Sequence, residues 1–275
     1  MIVSVPLTSV LGIFPRFALS AGRHLLVFVL LVGPTLLLAE EAEEDALATQ
    51  LEAVSVQLRA APNDCALVEQ AAELCRRWWQ RPSQVKDGHL GLLTYRAARK
   101  DTWSAIARRY GITTDLLRQL NPGIALHPGT RVRALDLRSV PLSLEVRRAS
   151  FRLLIWRGPV LLGVFPVGLG TFDHPTPLGH TTVSLCARNP DWRDPVSRRI
   201  YKAGDRRNVL GGFWIAFAPG PDNRFRGIGV HGYTAESPDK WLEKAGSRGC
   251  VRLVQADISL VFSLMRPGVM VSVRD

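Results

Sequence analysis

The chain has 275 residues, which is room for one large domain or two modest ones with a further segment, and 47% of them are hydrophobic, enough for a packed core. The net charge is +11 and the pI is near 10.2, a balance that favours anionic partners such as nucleic acid, acidic headgroups or a carboxylate-rich polymer. No basic run with interleaved aromatic residues occurs, so we do not expect nucleic acid to be the partner.

Residues 1–39 are predicted to be a signal peptide or a membrane anchor. An almost wholly apolar stretch, Leu25 to Leu38, follows basic residues and precedes acidic ones. This stretch is shorter than the ~20 residues that a spanning helix needs. Cleavage after Ala39 would release an exported protein, but Leu37 is large for a position that prefers a small side chain, so an inner-membrane anchor stays open. Either outcome puts the folded part outside the cytoplasm, in the periplasm or the cell envelope.

Two helices are predicted after the leader. They cover Glu43 to Arg59 and Cys65 to Gln80, and Asp64 is the expected N-cap of the second helix. Trp78 and Trp79 at the end of the second helix are expected to pack on a neighbouring domain. The polar stretch that follows contains proline and glycine and is typical of a linker.

The four cysteines allow three complete disulfide pairings in an exported protein. Cys65 and Cys75 belong to one predicted helix, where ten residues separate their backbones by about 15 Å, beyond disulfide reach. We expect them to be buried apolar side chains, unless one of them pairs with Cys186. Cys250 is a buried structural thiol, the partner of Cys186, or a free nucleophile.

The stretch from Leu92 to Leu135 is predicted to fold as strand, helix, helix and strand. The first helix lies in "DTWSAIARRYG", with Asp101 or Thr102 as its cap and Gly111 at its end. The second helix is expected to begin at Thr114 as its cap and to end at "NPG".

This order of elements, together with "LNP" and "PGTRVRAL", resembles a LysM module, a small domain that binds glycans containing N-acetylglucosamine. Lys100 stands where that family usually has glycine. The resemblance implies a βααβ module that binds the glycan strands of peptidoglycan or chitin. The alternative is a plain helical spacer.

From Pro141 onward the sequence predicts many short strands, a pattern typical of a β-sandwich or barrel. One helix is expected near Gln255 to Leu264. The predicted architecture is therefore a mainly β domain preceded by a small βααβ module and a helical segment. The predicted boundaries are leader 1–39, helical segment and linker 40–86, LysM-like module 87–138 and β domain 139–275.

The residues best suited to chemistry are His231 and, nineteen positions later, Cys250. A thiolate attacks acyl carbons well, and an imidazole close to it can take the thiol proton near neutral pH. Gly249 lets the backbone approach a substrate closely, and amides at such a turn can point at an oxyanion. No metal site is expected, because no further Cys or His ligands stand at short spacing.

Several motifs around this pair occur in an order that resembles the YkuD-type L,D-transpeptidases of bacterial cell walls. They are "TPLG", "NPDWRDP", "NVLGG", and "HG" followed by "SRGCVR". The resemblance covers roughly the last half of the chain. It implies a mainly β fold with a short helix and an active-site groove under a mobile flap.

The resemblance also assigns roles around the pair. The carbonyl of Gly232 would orient the ring of His231, so no acidic side chain is required. Arg248 stands where many members have histidine. Arg252 can bind a substrate carboxylate, although a structural ion pair is an equal alternative. Ser247 is expected to shape the turn and Tyr233 to line the groove.

The implied function is acyl transfer without a cofactor. Cys250 would attack the peptide bond before the terminal D-alanine of a peptidoglycan stem peptide and pass the acyl group to an amine, which cross-links the wall. Water as acceptor would make the protein an L,D-carboxypeptidase, and a protein amine would anchor a protein to the wall. A non-catalytic scaffold that binds peptidoglycan is the hypothesis of a different class.

Overall fold

The computed structural model describes residues 46–80 and 87–275. The predicted leader, 1–39, and the start of the predicted linker, 81–86, lie outside the described residues. None of the helices in the described part is long and apolar enough to cross a membrane.

Two helices come first, as predicted. Helix α1 covers 46–60 of the described residues, and helix α2 covers Cys65–Gln80. The Oδ1 atom of Asp64 accepts hydrogen bonds from the amides two and three residues further on, at 2.9 and 3.1 Å. These bonds satisfy amides that the first turn of α2 leaves without helical partners, which confirms Asp64 as the N-cap.

The two helices pack along strand β5 (Val160–Pro166) of the following sheet. Trp78 is fully buried, and the indole nitrogen of Trp79 donates to the carbonyl oxygen of Leu162 at 2.7 Å. The hydroxyl of Ser55 accepts a hydrogen bond from the amide of Leu161 at 2.9 Å. These contacts confirm that the end of α2 packs on a neighbouring domain.

The next segment folds in the predicted order. Strand β1 is Leu92–Arg96, helix α3 is Trp103–Tyr110, helix α4 is Thr114–Gln119, and strand β2 is Arg131–Leu135. The two strands pair antiparallel. The buried side chains of the two helices are apolar and lie in the core, which explains why a segment this short is stable. These side chains are Ile106, Ala107, Leu116 and Leu117.

Threonine side chains begin both of these helices. The Oγ1 atom of Thr102 accepts from an amide three residues on at 3.1 Å, and Gly111 ends α3 in the left-handed conformation at φ 69°. The cap of α4 is Thr113, whose Oγ1 atom accepts from an amide at 3.0 Å. The prediction of Thr114 as that cap was wrong by one position, because two adjacent threonines give the same sequence signal.

From residue 142 the chain is mainly β, which confirms the predicted class. The strands are β3 (Leu142–Arg147), β4 (Arg152–Arg157), β5 (Val160–Pro166), β6 (Leu169–Gly170), β7 (Gly179–Arg188), β8 (Trp192–Arg193), β9 (Ile200–Tyr201), β10 (Phe213–Phe217), β11 (Gly229–Gly232), β12 (Ala245–Ser247), β13 (Val251–Leu253) and β14 (Met270–Arg274). Helix α5 covers Pro238–Trp241, and helix α6 covers Gln255–Leu264, as predicted.

Eight of these strands form one continuous sheet in the order β13, β11, β10, β7, β14, β3, β4, β5. The long strand β7 joins the two halves, because its residues 179–182 pair with β14 and its residues 183–188 pair with β10. Apolar side chains from both halves and from α6 share one core. Strand β7 is therefore the element that links the two halves of this sheet.

Helix α6 also connects this sheet to the βααβ unit. The hydroxyl of Thr113 donates to the carbonyl oxygen of Ser263, and the hydroxyl of Ser263 donates to the side-chain oxygen of Gln119 at 2.9 Å. Arg188 at the end of β7 forms an ion pair with Asp115 of α4 at 2.6 Å. These bonds attach the βααβ unit to α6 and to the end of β7.

All four cysteines are free. Cys75 is buried as expected, and the loss of water raises the pKa of its thiol well above the ordinary value. Cys65 is exposed, so the expectation of a buried side chain was wrong for this residue. The physical reason is its place in the first turn of α2, where the buried positions of the helix begin only at Val68.

Candidate active site

The sheet brings His231 and Cys250 onto neighbouring strands. His231 lies on β11 and Cys250 directly precedes β13, and these two strands run parallel with His231 opposite Arg252. A parallel pair needs a crossover connection of about a dozen residues or more, which the segment 233–250 supplies. The spacing between the histidine and the cysteine is thus the length of one crossover.

The imidazole of His231 is buried and oriented. Its Nδ1 atom lies within hydrogen-bond distance of the carbonyl oxygen of Gly232. Because a carbonyl oxygen only accepts, Nδ1 carries the proton and Nε2 keeps a lone pair. Burial lowers the pKa of His231 from 6.5 to about 4, the Gly232 carbonyl acts to raise it, and the charge of Arg252 lowers it further. At pH 7 the ring is therefore a neutral base.

The thiol of Cys250 is also neutral at pH 7. Its Sγ atom makes a long hydrogen bond to the carbonyl oxygen of Gly227 at 3.7 Å. Burial raises the pKa of the thiol to about 11, while a hydrogen bond from the backbone of Gly229 and the charge of Arg252 both act to lower it. The site therefore holds a thiol that needs a base and already contains groups that favour the thiolate.

A short turn holds the thiol in place. The Oγ atom of Ser247 accepts from the amide of Gly249 at 3.1 Å and donates to the carbonyl oxygen of Cys250 at 2.6 Å. Gly249 has a φ of 105°, and a β carbon there would lie 2.8 Å from a methyl group of Ile228, so only glycine fits without strain. The amide of Gly249 is engaged by Ser247, whereas the amide of Cys250 has no acceptor in the described part of the chain.

His231 and Cys250 open into the same cavity, which has a volume of about 540 Å³. Arg248 lies in its wall. The complete wall consists of His174, Pro190, Asp191, Trp192, Arg193, Pro195, Leu210, Trp214, Arg226, Gly227, Ile228, His231, Arg248 and Cys250. Within residues 46–80 and 87–275, no group of three or more His, Cys, Asp and Glu side chains is arranged to hold a metal ion.

The wall contains His231, Cys250 and Arg248 of the predicted site residues, and the predicted substrate-binding residues Arg252 and Tyr233 are not part of it. The guanidinium of Arg252 lies 3.7 Å from the ring centroid of Tyr233, and the backbone of Arg252 pairs with Gly168 at 2.8 and 3.0 Å. The Nε atom of Arg252 is buried and has no hydrogen-bond partner in the described part of the molecule. Arg252 reaches Cys250 and His231 through its charge, and carboxylate binding by this side chain stays a prediction.

Several wall residues were missed from the sequence. Trp214 lies opposite His231 on β10, and the centroids of the two rings are 5.9 Å apart. Trp192 and Arg193 stand inside the "NPDWRDP" motif and His174 stands just before "TPLG", so the motifs themselves carried a signal for them. Arg226 belongs to no recognised motif, and only the fold brings it to the cavity.

The segment that carries β8 and β9 is closed at its base by Asn208. The side-chain nitrogen of Asn208 donates to the carbonyl oxygen of Pro190 at 2.9 Å, and its oxygen accepts from the amide of Leu210 at 3.2 Å. Within the segment, Trp192 stacks on Tyr201 with ring centroids 5.5 Å apart. These contacts explain in physical terms why "NPDWRDP" and "NVLGG" occur together.

The family comparison agrees with this geometry. Residues 141–273 match the L,D-transpeptidase catalytic domain of the YkuD family, and residues 95–133 match the LysM domain. The chain contains a YkuD-type L,D-transpeptidase catalytic domain and a LysM domain. The sheet with His231 and Cys250 is thus the L,D-transpeptidase domain, and the βααβ unit is the LysM domain.

Two relatives illustrate the extent of the likeness. The chain is 33% identical over 114 residues to YqjB of Bacillus subtilis (strain 168), a protein whose name assigns it to the L,D-transpeptidases. It is 29% identical over 194 residues to YcfS of Escherichia coli (strain K12), named in the same way. The matches cover 41% and 62% of this chain, and they span 60% and 57% of the two relatives, less than two thirds of either length.

Two solved structures are similar to the chain at low sequence identity. An L,D-transpeptidase from Mycobacterium tuberculosis H37Rv is 15% identical with a TM-score of 0.39, and the likeness covers 67% of this chain and 90% of that one. The catalytic domain of the E. faecium L,D-transpeptidase is 16% identical with a TM-score of 0.38, covering 48% of this chain and 95% of that one.

Proposed function

We propose that this protein is a cell-wall L,D-transpeptidase in which Cys250 forms a thioester with a peptidoglycan stem peptide. The observation that carries the proposal is the cavity that Cys250 and His231 share. The Nδ1 atom of His231 is hydrogen-bonded to the carbonyl oxygen of Gly232, which leaves Nε2 free to act as the base. A thiol beside an oriented neutral imidazole is the arrangement that nucleophilic acyl transfer needs.

In the first step the Nε2 atom of His231 takes the thiol proton while the sulfur attacks the carbonyl carbon that precedes the terminal D-alanine. The carbonyl oxygen becomes negative, and the amide of Cys250 is the donor available to it. The carbon–nitrogen bond then breaks, the imidazolium returns its proton to the departing amine, and D-alanine leaves. The product is a thioester between Cys250 and the shortened stem.

In the second step an amine of another stem peptide attacks the thioester. Neutral His231 takes a proton from that amine and gives it to the sulfur as the carbon–sulfur bond breaks. The thiol of Cys250 is thereby restored, and the product carries a new amide bond. Water in place of the amine would release a free acid, the L,D-carboxypeptidase reaction. An amine on a protein would attach that protein to the wall.

The remaining parts of the chain fit a role at the cell wall. The LysM domain would bind the glycan strands that carry the stem peptides and so keep the catalytic domain near its substrate. The basic charge of the catalytic half, with 19 lysines and arginines against 11 acidic residues from Pro141 onward, suits a polymer rich in carboxylates. We assign the site of action to the periplasm or cell envelope on these grounds.

The test uses the full-length protein and a purified disaccharide tetrapeptide. D-alanine release and cross-linked dimer, measured by mass spectrometry, are both expected from the wild type, whereas Cys250→Ala should lose at least about 1,000-fold of the release rate. Cys65→Ala is the matched control, since Cys65 is exposed and lies outside the cavity wall, and it should keep wild-type activity. An active Cys250→Ala variant would contradict the nucleophile assignment.

The same experiment separates the alternatives by their products. Release of D-alanine with a tripeptide but no dimer, even with excess acceptor, would make the protein an L,D-carboxypeptidase. Binding of wall fragments without any release would favour the non-catalytic scaffold.

A further inference from the structure

Three arginines from separate segments converge on the cavity that holds Cys250. Arg193 lies on β8, Arg226 lies in the loop between β10 and β11, and Arg248 stands two residues before Cys250. All three side chains are exposed rather than packed into the core. The wall of the cavity therefore carries three exposed guanidinium groups that a ligand can contact.

None of these three arginines forms a salt bridge with a carboxylate among the described residues. Asp194 accepts a hydrogen bond from the hydroxyl of Ser197, which lowers the pKa of its carboxyl, and Arg248 acts on Asp194 through its charge alone, which lowers that pKa further. The guanidinium of Arg226 donates to the neutral side-chain oxygen of Asn223 at 3.3 Å. The single acidic residue of the wall, Asp191, is already engaged by the ammonium group of Lys202 at 2.8 Å and by the amide of Ala203 at 3.1 Å. The cavity thus keeps an excess of positive charge that its own side chains do not neutralise.

Arg226 and Arg248 are each next to a residue that is hydrogen-bonded to Cys250. Arg226 precedes Gly227, whose carbonyl oxygen accepts from the thiol of Cys250. Arg248 lies in the turn that Ser247 closes around Cys250. Arg193 follows Trp192, which is held by its stacking on Tyr201. The three arginines therefore reach the cavity of Cys250 from three different segments of the chain.

We propose that this cavity selects stem peptides whose non-terminal carboxylates are free, and disfavours stems in which those carboxylates are amidated. A free carboxylate accepts two charge-assisted hydrogen bonds from one guanidinium. A carboxamide is neutral, offers one acceptor oxygen instead of two, and turns a donor NH2 toward a group that itself only donates. This inference rests on the proposed function, since it names the substrate class of the same site. It makes Arg193 and Arg226 specificity-determining residues together with Arg248.

The test compares two tetrapeptide stems that differ only in whether the non-terminal carboxylates are free or amidated. The full-length wild type should release D-alanine from the free form with a kcat/KM about 10- to 100-fold higher, the range that hydrogen bonds to charged groups provide. The difference should lie in KM more than in kcat, because the guanidinium groups contact the stem before and after attack alike. Equal rates, or faster release from the amidated stem, would overturn the proposal.

Charge-removing variants assign the effect to individual side chains. Arg193→Gln, Arg226→Gln and Arg248→Gln should each shrink the ratio of the two kcat/KM values severalfold. Arg199→Gln is the matched control, because it removes the same charge from the same β8–β9 segment at an exposed position outside the cavity wall. If Arg199→Gln shrinks the ratio as much as the others, the selection comes from overall charge and the proposal fails.

A binding measurement separates failure of this proposal from failure of the proposed function. The Cys250→Ala protein is titrated with both stems by calorimetry, at low and at high salt. Tighter binding of the free-carboxylate stem that weakens with salt supports the selection even if the wild type turns over neither stem. Equal affinities for the two stems contradict the selection whether or not D-alanine is released.

Discussion

The thiol of Cys250 and the imidazole of His231 meet as two neutral groups. Burial moves their pKa values apart, to about 11 for the thiol and about 4 for the ring, because each charged form loses water that the protein replaces only in part. At pH 7 the resting site therefore contains a thiol and a neutral imidazole rather than a thiolate and an imidazolium. In the proposed mechanism the ion pair forms only while the sulfur attacks, when the Gly229 backbone and Arg252, both of which lower the pKa of the thiol, would stabilise the charge on sulfur.

This arrangement predicts the pH dependence of alkylation at Cys250. Because the folded-state pKa of the thiol lies near 11, the reactive thiolate is scarce at pH 7 and should increase about tenfold per pH unit between pH 7 and 10. Iodoacetamide labelling followed by mass spectrometry of the peptide with Cys250 measures the rate, in a Cys65→Ala background that removes the exposed thiol. A fast rate that is constant from pH 5 upward would show a preformed thiolate–imidazolium pair instead.

The same pKa values predict where activity is lost on the acid side. The ring of His231 acts as a base only while neutral, so kcat/KM for D-alanine release should stay level from pH 7 down to about pH 5 and fall as the pH passes about 4. An ordinary histidine pKa near 6.5 would move that fall to about pH 6 to 7. A pH profile of D-alanine release by the folded protein, with circular dichroism at each pH as control, distinguishes the two.

The residue that precedes Cys250 is restricted to glycine by its backbone conformation and by the side chain of Ile228. Gly249→Ala places a β carbon 2.8 Å from Ile228 at a φ of 105°, so the change should cost about 1–3 kcal/mol of stability and shift the turn that holds Cys250. D-alanine release should fall at least about tenfold. Gly268→Ala is the control, since its φ is also positive, at 92°, but its β carbon would have nothing within 4 Å. Equal melting temperatures and equal activities of the two variants would refute the steric argument.

At the scale of elements, the segment with β8 and β9 depends on one amide side chain. Besides Pro190, the nitrogen of Asn208 reaches the carbonyl oxygens of Tyr201 and Lys202 at 3.4 and 3.3 Å. This one donor group therefore binds carbonyl oxygens before β8 and at the end of β9. The segment it closes contributes Trp192 and Arg193 to the cavity wall.

Removal of that donor should loosen the segment without unfolding the domain. Asn208→Ala and Asn208→Asp both lose it, and each should speed hydrogen exchange of the amides in 190–207 and cost about 1–3 kcal/mol. KM for the stem peptide should rise while kcat changes less, because His231 and Cys250 lie on other elements. Asn63→Ala, at an exposed position, is the control. Unchanged exchange in both Asn208 variants would refute the closing role of this side chain.

Elements with their own sequence signal were predictable, and elements made by tertiary pairing were not. Helix α6 at Gln255–Leu264 and the apolar strands β3 to β5 carry periodicity and turn residues that act locally. The two-residue strands β6 and β8 exist only because a partner strand lies beside them. The same division holds at the site. The motif around Cys250 could be recognised in the sequence, whereas Arg226 could not, because only the tertiary fold brings Arg226 to the cavity.

At the scale of the whole molecule, α1 and α2 cover an edge that the sheet would otherwise expose. Strand β5 is the last strand in the order, and its outer backbone groups meet side chains instead of another strand. Ser55 accepts from the amide of Leu161, Trp79 donates to the carbonyl of Leu162, and Arg59 donates to the carbonyl of Pro159 at 3.3 Å. Covering an edge in this way prevents pairing with another chain.

This cover predicts that the helices and the catalytic sheet unfold together. Ser55 is fully buried, so Ser55→Ala leaves the amide of Leu161 buried without an acceptor and should cost about 1–3 kcal/mol. If the edge depends on this bond, one cooperative thermal transition should shift downward, and the variant should aggregate faster than wild type near its midpoint. Ser104→Ala, an exposed serine in α3, should change the midpoint little. Two separate transitions, with only the smaller one shifted by Ser55→Ala, would mean that the helices are an independent unit and that β5 is stable without them.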